Sequence, residues 1–88
     1  MEPYKTYDVA DGIMIIAIGN NGQFRAFCQE MGVGQWAEDP RFVSSPQRLI
    51  NRDELERMIQ DLVRPFDSKV LIARLVAAGV PAGPVNTI

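Results

Sequence analysis

A chain of 88 residues, 47% of them hydrophobic and 23% charged, has room for one small domain with a modest core. Its net charge of −2 and pI of about 4.9 argue against the basic surface that nucleic acids require, so we expect no nucleic-acid partner. The longest apolar run, residues 13–18, is too short to span a bilayer, and the start of the chain lacks the basic and apolar stretches of a secretory signal. We therefore expect a cytoplasmic protein without membrane contact.

The sequence opens with a predicted β-hairpin. Residues 4–9 mix aromatic and β-branched side chains, Asp11-Gly12 is a two-residue turn signal, and the apolar residues 13–18 form the returning strand. Both faces of the returning strand are apolar, a pattern typical of a strand that is covered on both sides. The returning strand therefore has more apolar surface than a chain of this length is expected to cover.

A helix is predicted after the hairpin. Asn20 and Gln23 have the spacing of a capping box, although Asn21 has an equally suitable capping side chain. The apolar side chains of this helix recur at helical spacing, which predicts a core-facing stripe, and Gly32 suits the helix end. The stripe consists of Phe24, Phe27, Cys28 and Met31.

Residues 34–45 form a predicted linking stretch with one short helical turn at residues 35–37. Pro40 prevents a helix from continuing through this stretch. Its two large aromatic side chains, Trp36 and Phe42, are the expected packing anchors.

Two helices follow the linking stretch. Ser44 or Ser45 caps a short helix near residues 46–50, and Asn51 and Glu54 have the spacing of a second capping box. That box precedes the main helix, which is predicted from about residue 52 to residue 63. Its apolar stripe consists of Leu55, Met58, Ile59, Leu62 and Val63.

The last predicted helix is capped by Asp67 or Ser68 and ends at Gly79. Residues 80–88 are extended, because two prolines three residues apart rule out a helix. The fold class is therefore α+β: an N-terminal β-hairpin and a C-terminal extended strand packed with three to four helices. The inward side chains of the last helix are predicted to be Val70, Leu71, Leu75 and Val76.

Histidine is absent from the sequence, and cysteine occurs once, at Cys28. Ser-His-Asp and Cys-His catalytic groups, an internal disulfide and a zinc site of several His and Cys ligands are thereby excluded. Because Cys28 lies in an apolar stripe, we expect burial to raise the pKa of its thiol and leave it unreactive. The composition argues against an enzyme that is complete within these residues.

Two motifs in the sequence are specific when they occur together: Asp39-Pro40-Arg41-Phe42 and Gly79-Val80-Pro81-Ala82-Gly83-Pro84-Val85. The elements that accompany them in order are Asp11-Gly12, residues 13–18, Gly19-Asn20, Gln23-Phe24, Cys28, Gly32, Arg48, Asn51-Arg52 and Leu55. In this order they resemble the small domain of the family III CoA-transferases (the CaiB/BaiF group). That group includes carnitine- and formyl-type acyl-CoA transferases and α-methylacyl-CoA racemases. The resemblance extends from about Tyr4 to Ile88.

The resemblance implies that residues 1–88 are a single small domain of a protein several times longer. The implied partners are a large CoA-binding domain of the same polypeptide and, through interlocked subunits, a second copy of that polypeptide. In the transferases an aspartate of the large domain attacks the acyl-CoA, which is covalent catalysis by a carboxylate. In the racemases an acid/base pair of the large domain acts at the α-carbon. Only residues 1–3 precede Tyr4, so we also expect the family's glycine-rich loop to lie outside this chain.

We therefore expect no catalytic, cofactor-binding or metal-binding residue in this chain, and CoA thioesters as substrates of the longer protein only. None of the chain's aspartates matches the catalytic position: Asp8, Asp11, Asp39, Asp53, Asp61 and Asp67. Gly83 suits either a phosphate-cradling turn or a strand that docks on the large domain. Arg41 and Arg48 suit either a CoA phosphate or a structural role, as partners of Asp39 or Glu38 or as supports of the loop.

Three functions stay open at this point. The chain is the small domain of a CoA-transferase, the small domain of a racemase of the same family, or a free-standing interaction module that binds a partner through its apolar C-terminal strand. By itself the chain is expected to be inactive.

Overall fold

The computed structural model describes residues 4–85, so the expectations for residues 1–3 and for the end of the extended segment at 86–88 lie outside the described residues. The elements are β1 (Tyr4–Val9), β2 (Gly12–Ala17), α1 (Asn21–Glu30), a 3-10 helix (Gly34–Glu38), α2 (Ser45–Ile50), α3 (Arg52–Val63), α4 (Ser68–Ala77) and β3 (Ala82–Pro84). The predicted α+β class is confirmed.

The three strands form one antiparallel sheet in the order β1-β2-β3. Val9 pairs with Gly12, so the two-residue loop is Ala10-Asp11 and not the predicted Asp11-Gly12. Gly12 is the first residue of β2 and has a φ of +147°, a value that L side chains rarely adopt. Gly12 thus directly follows the two-residue loop and is not part of it. The Asp11 carboxylate accepts a hydrogen bond from the Ser68 N–H at the start of α4.

β2 is covered on one face by the described helices. Met14 and Ile16 are almost fully buried, whereas Ile13 is 44% exposed and Ile15 is partly buried. Both faces of β2 therefore carry apolar side chains, as the sequence indicated, but residues 4–85 bury only one of the two faces.

Side-chain caps fix the starts of three helices where they were predicted. The Asn20 Oδ1 accepts from the Gln23 N–H at 2.8 Å, and the Gln23 Oε1 accepts from the Gly19 N–H at 2.6 Å. Ser44 caps α2, and Asp67 caps α4 by accepting from two backbone N–H groups.

The core contains the predicted stripe of α1 and the Leu55, Ile59 and Val63 side chains of α3. Phe42 is fully buried, and Trp36, Met58 and Leu62 pack partly buried against the core, as expected. The buried hydrophobic residues are Tyr7, Val9, Met14, Ile16, Phe24, Phe27, Cys28, Met31, Phe42, Leu55, Ile59, Val63, Leu71, Leu75 and Val80.

The predicted inward face of α4 is partly wrong. Leu71 and Leu75 are fully buried, but Val70 and Val76 are 54% and 55% exposed. Successive helical residues are about 100° apart, so Val70 and Val76 lie on opposite flanks of the narrow Leu71–Leu75 stripe. Gly79 ends the helix with a φ of +89°, as predicted.

Candidate functional site

Arg48 is a charged residue that the fold withdraws from solvent, with an exposed fraction of 9%. Its Nη1 donates to the Phe42 carbonyl oxygen at 2.9 Å, and its Nη2 donates to Asn21 Oδ1 at 2.8 Å and Ser45 Oγ at 3.0 Å. The guanidinium also stacks over the Phe24 ring, 4.7 Å from the centroid. Arg48 thus joins the start of α1, the linking stretch and α2, which agrees with its predicted role as a support of the loop.

The neutral partners of Arg48 make it electrostatically unusual. Burial lowers the pKa of its guanidinium from the ordinary value, but arginine stays protonated in proteins. The charge is stabilised by carbonyl, amide and hydroxyl dipoles and by one aromatic face. Within residues 4–85 these contacts occupy Arg48 with the protein's own groups rather than directing it towards a ligand.

Arg41 lies in an ion-pair network on the surface of the same stretch. Its Nε and Nη2 donate to the two carboxylate oxygens of Asp39 at 3.0 and 2.8 Å, and its Nη1 lies 2.6 Å from Glu54 Oε2. The hydrogen bonds from Arg41 hold the pKa of the Asp39 carboxyl below its usual range. The predicted pairing with Asp39 is confirmed, and the second partner is Glu54 rather than Glu38.

Contrary to the prediction, Asn51 does not cap α3. Its Nδ2 donates to the carbonyl oxygens of Arg41 and Gln47, both at 3.0 Å, and its side chain caps no N–H of α3. Glu54, the other residue of the predicted capping box, instead binds Arg41. The predicted capping box of Asn51 and Glu54 is therefore wrong, because both side chains bind groups outside the start of α3.

Several carboxylates have structural partners. The Asp11 carboxylate accepts from the Ser68 N–H at 2.8 Å and from the Ser68 hydroxyl at 2.9 Å, and these bonds lower the pKa of the Asp11 carboxyl. The Glu30 carboxylate accepts from Arg74 Nε at 2.8 Å. Asp53 is almost fully exposed beside Arg52. These positions suit turns, caps and surface pairs rather than a confined nucleophile.

The remaining candidates also have structural positions. Cys28 is fully buried, and burial raises the pKa of its thiol to about 12, so the predicted burial and rise in pKa are confirmed. Gly83 lies in β3, where it pairs with Ile15 of β2. The structure therefore makes Gly83 part of a strand and not of a phosphate-cradling turn.

A groove of about 400 Å³ lies between β1 and α3. It carries charges of both signs, from Lys5, Asp8, Glu56 and Arg57, and Lys5 and Glu56 pair within it at 3.7 Å. A phosphate ligand favours a basic lining, which this groove does not offer.

Residues 4–85 contain no group of three or more His, Cys, Asp or Glu side chains placed to hold a metal ion. None of the helices in this range is long and apolar enough to cross a membrane.

A small α+β domain with a β-hairpin, a linking stretch stabilised by arginines and a short C-terminal strand has relatives of known structure. A CaiB/BaiF family protein from Brucella suis superposes with a TM-score of 0.91 at 41% identity, over 97% of this chain and 22% of that one. In sequence, all of residues 1–88 match CoA-transferase family III. The chain belongs to this family.

Curated relatives include CoA-transferases with different acids in their names. The succinate–glutarate CoA-transferase of Agrobacterium fabrum is 34% identical over 88 residues, which are all of this chain and 22% of the relative. The acetyl-CoA:oxalate CoA-transferase of Acetobacter aceti is 31% identical over 85 residues, which are 97% of this chain and 22% of the relative. The chain thus spans about a fifth of the length of the relatives it matches.

Proposed function

We propose that residues 1–88 form the small domain of an acyl-CoA:carboxylate CoA-transferase. The observation that carries this proposal is the family match over the entire chain, together with curated relatives whose names describe CoA transfer. The acids in those names differ, so the proposal concerns the reaction class: exchange of CoA between two carboxylic acids.

The reacting carboxylate in this proposal lies outside the 88 residues. An aspartate oxygen bonds to the acyl carbonyl carbon as the C–S bond breaks, which gives a mixed anhydride and CoA thiolate. The thiolate then attacks the aspartyl carbonyl and releases the first acid, which leaves an aspartyl-CoA thioester for the second acid. The structural partners of Asp11, Asp39 and Asp67 support this location, because those carboxylates already stabilise a helix start or a loop.

The small domain's own contribution would be positional. Ile13 is 44% exposed on the face of the sheet that the described helices leave open, and Ile15 lies beside it. A large domain of the same polypeptide would cover this apolar face and thereby place the small domain over the reacting thioester. We extend the proposal to a cytoplasmic homodimer, as the family resemblance implies.

The test uses the native protein from its source cell and begins with its mass. A band several times the 9.8 kDa of this chain supports the domain proposal, whereas a stable 9.8 kDa product identifies a free-standing interaction module. The native protein is then incubated with a labelled free acid and an unlabelled acyl-CoA.

Label that appears in the thioester supports CoA transfer. Loss of α-stereochemistry in an α-methylacyl-CoA, without any label in the thioester, would show that the protein is a racemase. The absence of both reactions over a panel of dicarboxylic acids would contradict the proposed function.

A further inference from the structure

The Gln60 side chain of α3 lies against the outer edge of β1. Its Oε1 accepts from the Asp8 N–H at 2.9 Å, and its Nε2 donates to the Asp8 carbonyl oxygen at 2.8 Å. One carboxamide therefore satisfies both backbone groups of one strand residue. A residue in a neighbouring antiparallel strand makes the same two bonds.

The register shows that these Asp8 groups point away from the sheet. Asp8 is opposite Ile13 of β2, and the Ile13 carbonyl oxygen accepts from the Val85 N–H on the β3 side. Because Ile13 uses its backbone towards β3, the Asp8–Ile13 pair is one of the non-hydrogen-bonded pairs of the hairpin. Thr6, opposite Ile15, has the same outward orientation.

β1 is an edge strand of the described sheet, and an unpaired edge is a template for another chain. The protection of this edge extends from the hairpin loop to Asp8. The Ala10 N–H donates to the Phe66 carbonyl oxygen at 2.9 Å, and Gln60 covers Asp8. Beyond them, Lys5 adds a charge, half-exposed and paired with Glu56.

We propose that Gln60 blocks the β1 edge against antiparallel pairing with β1 of a second copy of this chain. A two-fold symmetric pair centred on Thr6 brings identical edges together and places Lys5 opposite Tyr7, so no like charges oppose each other. Such a pair requires the outward backbone groups of both Thr6 and Asp8. Gln60 occupies those of Asp8.

The test is the Gln60→Met substitution in the 88-residue chain, which keeps the length of the side chain and removes both hydrogen bonds. Gln29→Met is the matched control, because Gln29 is an exposed glutamine of α1. Sedimentation equilibrium over a series of concentrations should show Gln60→Met shifted towards dimer mass relative to wild type and Gln29→Met. Adding Thr6→Pro to Gln60→Met should reverse the shift, because proline removes an outward N–H from an edge strand without breaking the β1–β2 ladder.

Amide hydrogen exchange locates the contact. In dilute Gln60→Met the Asp8 amide should lose its protection, and at high concentration the Asp8 and Thr6 amides should become protected together. A Gln60→Met mass equal to that of wild type, or a dimer that Thr6→Pro leaves unchanged, would overturn the proposal.

If Gln60→Met does not fold, Gln60→Leu is measured in the same way and with the same two outcomes. Failure of both variants to fold, with Gln29→Met folded, would mean that Gln60 supports the fold rather than guards the edge. That result also contradicts the proposal.

Discussion

At the scale of residues, Arg41 and Arg48 use the same functional group in two settings. Arg41 is 43% exposed at its side chain and pairs with Asp39 and Glu54, so solvent screens its contribution. Arg48 is buried and directs its donors to neutral acceptors on three segments. Removing Arg48 leaves the buried Phe42 carbonyl oxygen without this donor, which is the costly case, whereas Asn21 and Ser45 are exposed to water and still contact each other.

We therefore predict that Arg48→Ala lowers the free energy of unfolding by about 2–3 kcal/mol, the cost expected for losing one buried hydrogen bond from a charged group together with two part-buried ones. Arg48→Lys should not rescue stability, because one ammonium does not span the same acceptors. Arg25→Ala, at an exposed position of α1, is the control and should change stability little. Denaturant titration measures all three variants. Equal stability of Arg48→Ala and Arg25→Ala would show that the loop does not depend on this guanidinium.

At the scale of elements, the end of α4 depends on a backbone conformation. The Val80 N–H donates to the Leu75 carbonyl oxygen at 2.8 Å across Gly79, whose φ is +89°. A Cβ at Gly79 would meet no atom within 4 Å, so steric contact with neighbours adds no cost. The requirement for glycine is conformational.

Gly79→Ala should therefore lower the free energy of unfolding by about 1 kcal/mol, the cost of a positive φ for an L side chain. Gly34→Ala is the matched control, because a Cβ there also meets nothing within 4 Å and its φ is not positive. It should be neutral or slightly stabilising, since alanine restricts the unfolded chain. Thermal unfolding compares the two variants, and equal losses would contradict the conformational explanation.

Local signals explain why some elements were predictable. The caps Asn20 and Asp67 and the apolar spacing of α3 act within a few residues, and the bounds of α3 agree with prediction. Tertiary contacts overrode local signals elsewhere. Asn51 binds carbonyl groups of other segments, and α4 packs through a stripe too narrow to include Val76.

The contacts of the candidate site also divide into local ones, which were predictable, and long-range ones, which were not. The pairing of Arg41 with Asp39 was predictable because they are two positions apart, whereas Gln60 and Asp8 are 52 positions apart and Arg74 and Glu30 are 44 apart. Composition and spacing contain no information on which helix face meets which strand. Contacts of this kind required the fold.

At the scale of the whole molecule, a complete family match coexists with a chain about a fifth as long as its relatives. The apolar side chain of Ile13 is 44% exposed on the open face of the sheet, and the partnered carboxylates serve the fold. These features agree with our proposal that the domain helps to position the reacting groups and that the reactive carboxylate lies outside it.

The most direct measurement is a CoA-exchange assay on the purified 88-residue chain, with its native fold verified by hydrogen exchange. Labelled dicarboxylic acid and an acyl-CoA are supplied, and the native protein serves as the active reference. We predict no label in the thioester pool above the rate without protein. Incorporation catalysed by the chain alone would place a reactive carboxylate within these residues and contradict the account.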